Sequence, residues 1–280
     1  MRIGSRMLKC GKTMMDLNEK TWIMGILNVT PDSFSDGGCF TDIQRAVEHA
    51  KQMEAEGADL IDIGGESTRP GYTPVPLDEE LRRVLPVIRE VANNVNVPIS
   101  IDTYKAETAR QALEAGASII NDVWGAKADP QMAFIAAKYD VPIILMHNRH
   151  DTNYGDVMAD IILDLQESIT IVKTAGVKDE NIILDPGIGF AKTYEQNLEV
   201  MDRLEELTSL DYPVLLGTSR KSIVAQTLGL PKEERVEGTG ATVCLGIEKG
   251  CQIVRVHDVL PIKRMSTMMD AMLKRMAAPS

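Results

Sequence analysis

The sequence predicts an α/β protein, a (β/α)8 TIM barrel with a short N-terminal hairpin. Three observations predict it. A unit recurs along the chain in which a mixed-charge helix ends at Gly and a short apolar strand follows, finishing in a polar residue. Its copies are Glu56–Gly64, Ala115–Asp122, Ala175–Asp185 and Lys249–His257. Gly at these places suits a left-handed helix C-cap, and the β-branched runs after it suit strands buried on both faces. Amphipathic stretches fill the intervals, and strict strand–helix alternation requires right-handed parallel crossovers. Finally, hydrophobic residues make up 44% of the chain and aromatics only 4%, so Ala, Ile, Leu, Val and Met supply the core, as in helices packed on a parallel sheet.

Taken in order, residues 1–20 read as a hairpin turning at Gly11-Lys12. A long strand follows from Trp22 to Leu27. Pro31 removes a backbone donor and Gly37-Gly38 free the backbone, so the ladder stops at Asn28. The loop beyond it is dense in polar side chains. Helices are expected over Thr41–Glu56, Leu77–Asn94, Lys105–Ala115, Pro130–Tyr139, Asp156–Ala175, Tyr194–Thr208, a stretch from Ser219 to Lys249, and Pro261–Met276. Strands at Pro98–Asp102, Val141–Met146 and Pro213–Leu216 complete a set of eight. The 280 residues show no linker or low-complexity break, so one domain is expected, 1–20 the hairpin and 21–280 the barrel. A doubly wound open sheet is the rival fold. The lack of a GxGxxG turn after any strand weakens it.

Composition excludes some function classes. With 41 acidic against 30 basic residues the net charge is −11, which opposes nucleic acid and anionic membranes. An anionic substrate would need locally concentrated cations. Cys10, Cys39, Cys244 and Cys251 show no CxxC spacing, as expected of reduced thiols. No run approaches the roughly 18 apolar residues of a membrane span, and the N-terminus has no apolar signal-peptide core. A soluble, cytoplasmic protein is expected.

In such a barrel the strands deliver their last residues to one mouth. Those residues are Asn28, Glu66-Ser-Thr68, Asp102, Asn121-Asp122, Met146-His-Asn148, Asp185, Thr218-Ser-Arg-Lys221, and Arg255 with His257. Each strand thus offers a polar group to the same rim, where Asp102, Asn121 and Asp185 face Lys221, Arg255 and a sometimes cationic His257. Asp185 and Asn121 can pair with the edge of a planar heterocycle. Arg255 can lie flat on a ring or fork to a phosphate. Thr68, Arg255, His257 and Asn28 suggest an oxyanion subsite with magnesium. The stretch Gly217–Ser222 opens a helix but lacks Walker A spacing, and neither HExxH nor GxSxG occurs.

Four stretches, Gly25–Gly38, Asp62–Gly71, Asp185–Phe190 and Gly217–Ser222, together resemble the dihydropteroate synthase family, in its bacterial, Bacillus-like form. The likeness runs from about Trp22 to the last strand. It implies a TIM barrel that joins 6-hydroxymethyl-7,8-dihydropterin diphosphate to 4-aminobenzoate by an SN1-like path, releasing diphosphate. It also implies a magnesium ion and a homodimer. By the same resemblance, Asp102, Asn121, Asp185 and Lys221 take the pterin, with Gly217 beside them, in a slot floored by Met146 and Phe190. Asn28 is linked to magnesium, and Thr68, Arg255 and His257 to the diphosphate. Ser222, Phe34, Arg69 and Pro70 fall on the aminobenzoate side, and Asp36 belongs to the closing first loop. Ile223-Val224 and Tyr72-Thr73 depart from the family's pattern. Rival readings are a methyl-tetrahydrofolate barrel serving a corrinoid protein, an aldolase using Lys221 as a Schiff base, and a non-catalytic pterin-binding paralogue.

Overall fold

Eight parallel strands form a barrel in the computed structural model, which describes residues 6–29, 40–66 and 74–273. Ahead of it, β1 (Met7–Cys10) and β2 (Thr13–Asp16) make an antiparallel hairpin that turns at Gly11, whose φ is 60°. The barrel strands are β3 (Trp22–Asn28), β4 (Leu60–Gly64), β5 (Ile99–Asp102), β6 (Ile119–Asp122), β7 (Ile143–Met146), β8 (Ile182–Asp185), β9 (Leu215–Leu216) and β10 (Ile253–Val256). Their spatial order is β8-β7-β6-β5-β4-β3-β10-β9. A single parallel bridge, Leu184 to Val214, closes the ring, with the Leu184 N–H donating to the Pro213 carbonyl at 2.8 Å.

The expected helices surround the strands: α1 (Phe40–Ala55), α2 (Leu77–Ala92), α3 (Ala106–Ala115), α4 (Met132–Tyr139), α5 (Val157–Thr174), α6 (Tyr194–Asp202), α7 (Leu204–Thr208), α8 (Ser222–Leu228), α9 (Val236–Glu248) and α10 (Val259–Met272). The glycines that mark the recurring unit, Gly57, Gly116, Gly176 and Gly250, all have positive φ, the conformation their C-cap role requires.

Two expected helices are divided. The stretch Tyr194–Thr208 breaks at Arg203 into α6 and α7. The stretch Ser219–Lys249 breaks where Gly229 turns left-handed (φ 67°) and Pro231 follows, so α8 and α9 are joined by a short 3-10 turn at Lys232–Glu234. The end of the last expected helix, through Met276, lies outside the described residues.

Two apolar layers flank the strands. Outward-facing residues such as Ile61, Ile63, Ile101, Ile120, Leu145 and Leu184 pack against the helices. Inward-facing Trp22, Met24, Leu60, Ile119, Ile144, Ile183, Leu215 and Ile253 fill the barrel's lower interior, together with Leu8, Cys10, Met15 and Leu17 from the hairpin. The hairpin therefore stoppers the N-terminal end. Among the described residues no helix is long and apolar enough to cross a membrane.

Candidate active site

The two-residue period of a strand decides what lies above that apolar floor. Two positions beyond Leu60, Ile119, Ile144, Ile183, Leu215 and Ile253 come Asp62, Asn121, Met146, Asp185, Gly217 and Arg255. Ser100, level with Asp62 in the ladder, is followed at the same interval by Asp102. The next inward layer is therefore polar, and nearly all of it is buried.

Arg255 ties one half of the layer together. Its Nε donates to Asp62 Oδ2 at 2.6 Å and an Nη to Asp102 Oδ2 at 2.8 Å. Asn121 Nδ2 donates to the same Asp62 oxygen at 3.0 Å. The second oxygens, Asp62 Oδ1 and Asp102 Oδ1, are buried with no hydrogen-bond partner among the described residues. Buried acceptors without partners are costly, so these two oxygens mark the layer as one whose polar groups are not all satisfied from within. Burial pushes the Asp102 carboxyl up to about 7; Arg255 opposes this, while Asp62, Glu80 and Asp122 add to it.

Asp185 and Lys221 form the other half. Asp185 Oδ1 accepts from the Gly187 N–H at 2.7 Å, and burial raises its pKa against the pull of Lys221. Lys221 Nζ donates to the Ile188 carbonyl at 2.5 Å and lies 4.7 Å from the Phe190 ring centroid, over its face. Burial lowers the lysine to about 8, with Asp185 resisting. A Cβ added to Gly217 would stand 3.8 Å from Lys221 Nζ, 3.9 Å from Arg255 Cβ and 4.0 Å from Asp185 Oδ2. The missing side chain is the space these three groups share.

The loop after β8 is held from below. Lys192 Nζ donates to His147 Nδ1 at 2.9 Å and to the Gly187 and Phe190 carbonyls at 3.0 Å each. His147 Nε2 is 3.0 Å from Asp164 Oδ2, which also accepts from Arg149 Nε. Burial lowers Lys192 to about 7 and His147 to about 3. At the root of the loop after β4, buried Glu66 and Glu80 both pair with Lys105, and Arg83 Nη1 donates to the Gly65 carbonyl at 3.0 Å.

A polar slot with a carboxylate–amide wall, a lysine over an aromatic ring and an arginine at one end suits a planar, hydrogen-bonding heterocycle attached to an anionic group. The comparisons agree. The profile of a family described as pterin binding enzyme matches residues 24–257. The dihydropteroate synthase of Bacillus subtilis is 61% identical over 261 residues, covering 93% of this chain and 92% of the relative. The chain belongs to the dihydropteroate synthase family. Two solved members of that family share its architecture. The Clostridium difficile dihydropteroate synthase, crystallised in the presence of pteroic acid, has a TM-score of 0.91 at 53% identity and covers 92% of this chain and 99% of its own. The Xanthomonas albilineans dihydropteroate synthase with 4-aminobenzoic acid has a TM-score of 0.92 at 42% identity, covering 98% and 100%.

Of the residues that the dihydropteroate synthase resemblance singled out, the fold gathers Asp102, Asn121, Met146, Asp185, Phe190, Gly217, Lys221 and Arg255 around one space. Asn28 and His257 each lie two residues further along β3 and β10, nearer the mouth, and both are half-buried. Ser222 is exposed at the start of α8, beside Lys221. Phe34, Asp36, Thr68, Arg69 and Pro70 lie outside the described residues.

Burial, reinforced by Arg255, Arg220 and Lys232, disfavours the charged form of His257 and lowers its pKa to about 3. Arg255 gives its Nε and one Nη hydrogen to Asp62 and Asp102, which leaves three of its five N–H donors for other partners. Sequence reasoning gave no individual role to Asp62 or Lys192, and placed Ser219 only within the strand end Thr218–Lys221. Asp62 had a signal: it is the one charge inside the apolar run Leu60–Gly64, where a fully buried carboxylate needs a cation. Among the described residues no group of three or more His, Cys, Asp or Glu could hold a metal. Asn28 offers one hard oxygen. That suits magnesium carried on a substrate diphosphate, where phosphate and water oxygens complete the shell.

Proposed function

We infer that this protein condenses 6-hydroxymethyl-7,8-dihydropterin diphosphate with 4-aminobenzoate, giving 7,8-dihydropteroate and diphosphate in folate biosynthesis. The observation that carries this reading is the buried polar layer in which Asp62 and Asp102 keep one oxygen open and Lys221 and Asp185 meet at Gly217. Pteroic acid and 4-aminobenzoic acid accompany solved relatives of 53% and 42% identity.

In this reading the pterin edge pairs with Asp102, Asn121 and Asp185, and its ring lies near Met146, Phe190 and Lys221. Donors arriving at the open carboxylate oxygens favour the ionised form and draw the raised pKa of Asp102 back down. The C–O bond between the methylene carbon and the diphosphate breaks as positive charge spreads into the electron-rich dihydropterin. Asp102 and Asp185 stabilise that charge. The neutral arylamine nitrogen then bonds to the methylene carbon and sheds its proton to water. No strong base is needed, so positioning and charge stabilisation are the protein's share. Asn28 would hold a magnesium ion carried on the diphosphate, which would supply neutralisation of the leaving group's charge. Arg255 and His257 serve the departing diphosphate, and Ser222 serves the aminobenzoate. The family resemblance assigns Thr68 to the diphosphate and Phe34, Arg69 and Pro70 to the aminobenzoate, and it groups Asp36 with the first loop. A homodimer and a single domain over 1–280 complete the proposal.

The test mixes purified protein with the two substrates and magnesium and looks for dihydropteroate by mass. Its formation is the expected result; unreacted substrates with intact, folded protein would refute the reading.

A further inference from the structure

His257 and Ser219 meet where the ends of β9 and β10 come together. Ser219 Oγ lies 2.9 Å from His257 Nδ1 and accepts from the His257 backbone N–H at 3.1 Å. One residue on, Arg220 repeats the link: its Nε and an Nη grip the Asp258 carboxylate at 2.9 and 2.5 Å. Arg220 has φ 58°, a left-handed conformation rare for a residue with a side chain. Its neighbours enforce it. The Arg220 N–H donates to Thr239 Oγ1 at 3.1 Å, and its carbonyl accepts from Arg235 Nη1 at 3.0 Å. Residues 219–220 are thus stapled to 257–258 at two consecutive positions, and Lys221 follows at once.

The staple determines where protons reside. A serine hydroxyl has one hydrogen. Ser219 is 5% exposed, and its Oγ already accepts one backbone N–H. If His257 Nδ1 carried a hydrogen, the hydroxyl would accept twice and its own proton would have no acceptor among the described residues. If Nδ1 is bare, the hydroxyl donates to it and every group is satisfied, the usual state of buried polar atoms. Resting on the reading above, in which His257 faces the diphosphate, we propose that Ser219 is a positioning residue that holds His257 as the neutral tautomer protonated at Nε2, so that the imidazole offers the diphosphate one hydrogen-bond donor and neither a charge nor a transferable proton. The surroundings agree: burial, Arg255, Arg220 and Lys232 disfavour the imidazolium, against the opposing pull of Asp258. A neutral donor beside Arg255 supplies a directed hydrogen bond to phosphate oxygen without a second buried cation next to the first.

The chain has only four histidines, which makes the tautomer directly observable. Protein labelled with 15N in the imidazole rings, with a His257→Gln variant to assign the signal, gives the state of each ring nitrogen by long-range proton–nitrogen correlation. The expected spectrum shows His257 Nδ1 as a bare acceptor and Nε2 as protonated near neutral pH. An Nδ1-protonated ring or an imidazolium would overturn the proposal. In Ser219→Ala the Nδ1 signal is expected to lose its hydrogen-bonded shift and the two tautomers to mix. Affinity for magnesium diphosphate, read by calorimetry, should fall about five- to tenfold, the consequence of one lost hydrogen bond. Binding of dihydropterin lacking the diphosphate should be unchanged. Unaltered diphosphate affinity in Ser219→Ala, or an equal loss for both ligands, would also overturn it. Failure of the wild-type protein to bind magnesium diphosphate would instead refute the functional reading, and the spectrum would still decide the tautomer.

Discussion

Asp102 is a carboxylate whose environment works against its charge. Arg255 lies 2.8 Å from one oxygen, yet burial still raises the group from 3.8 to about 7. The folded protein therefore holds this proton more tightly than the unfolded chain, and by linkage the group's contribution to stability is greatest at acid pH and is lost as pH rises from 3.8 to about 7. Asp102→Asn should flatten that decline, seen by comparing melting temperatures of the two proteins across the interval. Parallel curves would show that Asp102 ionises in the fold as it does in water. Asp62→Ala is a different loss. It strips Arg255 of one of two buried carboxylates and Asn121 of its acceptor, and should destabilise by about 3–5 kcal/mol, the range for breaking a buried pair. Denaturant unfolding measures it, and a change below about 1 kcal/mol, typical of exposed pairs, would mean that water reaches the pair. At this scale the sequence was half legible. Strand-end position revealed Asp102, Asn121, Asp185, Lys221 and Arg255, because a period of two fixes which side chains turn inward. It did not reveal which of them pair with one another, since that depends on rotamers and on Asp62, one strand away from Asp102 and two from Arg255.

The loop after β8 is the element whose shape most depends on one side chain. Lys192 Nζ bonds to His147 Nδ1 and to two carbonyls of the loop, Gly187 and Phe190. Those residues bracket Ile188, whose carbonyl receives Lys221, and Phe190 is the ring below that lysine. Lys192→Met keeps length and apolar stem but frees the loop. Steady-state kinetics should then show a raised KM for the pterin substrate, with a smaller change in the KM for aminobenzoate. An equal rise in both would point to general loosening of the barrel mouth. Elements were well announced where Gly ends a helix and an apolar run follows, and poorly announced inside long helical stretches. The α8–α9 break carried its signal in Gly229-Leu-Pro231. The α6–α7 break carried none, since Arg203 is an ordinary helix former. The loops after β3 and β4 were legible as motifs, while their geometry lies outside the described residues.

Across the whole molecule the ring of strands is uneven. β3 and β4 share five registered pairs, whereas β8 and β9 meet at one bridge beside Pro213, which lacks an N–H. Opening should therefore begin at that seam. Native-state hydrogen exchange is expected to show the Leu184 amide, which bonds to the Pro213 carbonyl, less protected than Ile61 or Ile63 within β4. Equal protection would mean that the flanking helices α6 and α9, not the strand pairing, hold the ring shut. The closed eight-fold architecture itself was legible because alternation and chain length leave few alternatives. The seam was not, because a two-residue strand carries too little pattern to announce its partners.

The hairpin that fills the lower barrel makes the interior a well with one opening. Whatever settles deepest must enter first and leave last, and traffic through the mouth is a queue. If the pterin diphosphate occupies the floor, 4-aminobenzoate has no completed seat until that substrate is in place. Calorimetry should accordingly find no tight binding of aminobenzoate to the bare protein, and binding should emerge once diphosphate with magnesium, or a pterin diphosphate analogue, has been added. The product would have to back out past the rim by which its second half arrived, so turnover can be limited by departure even when bond formation is fast.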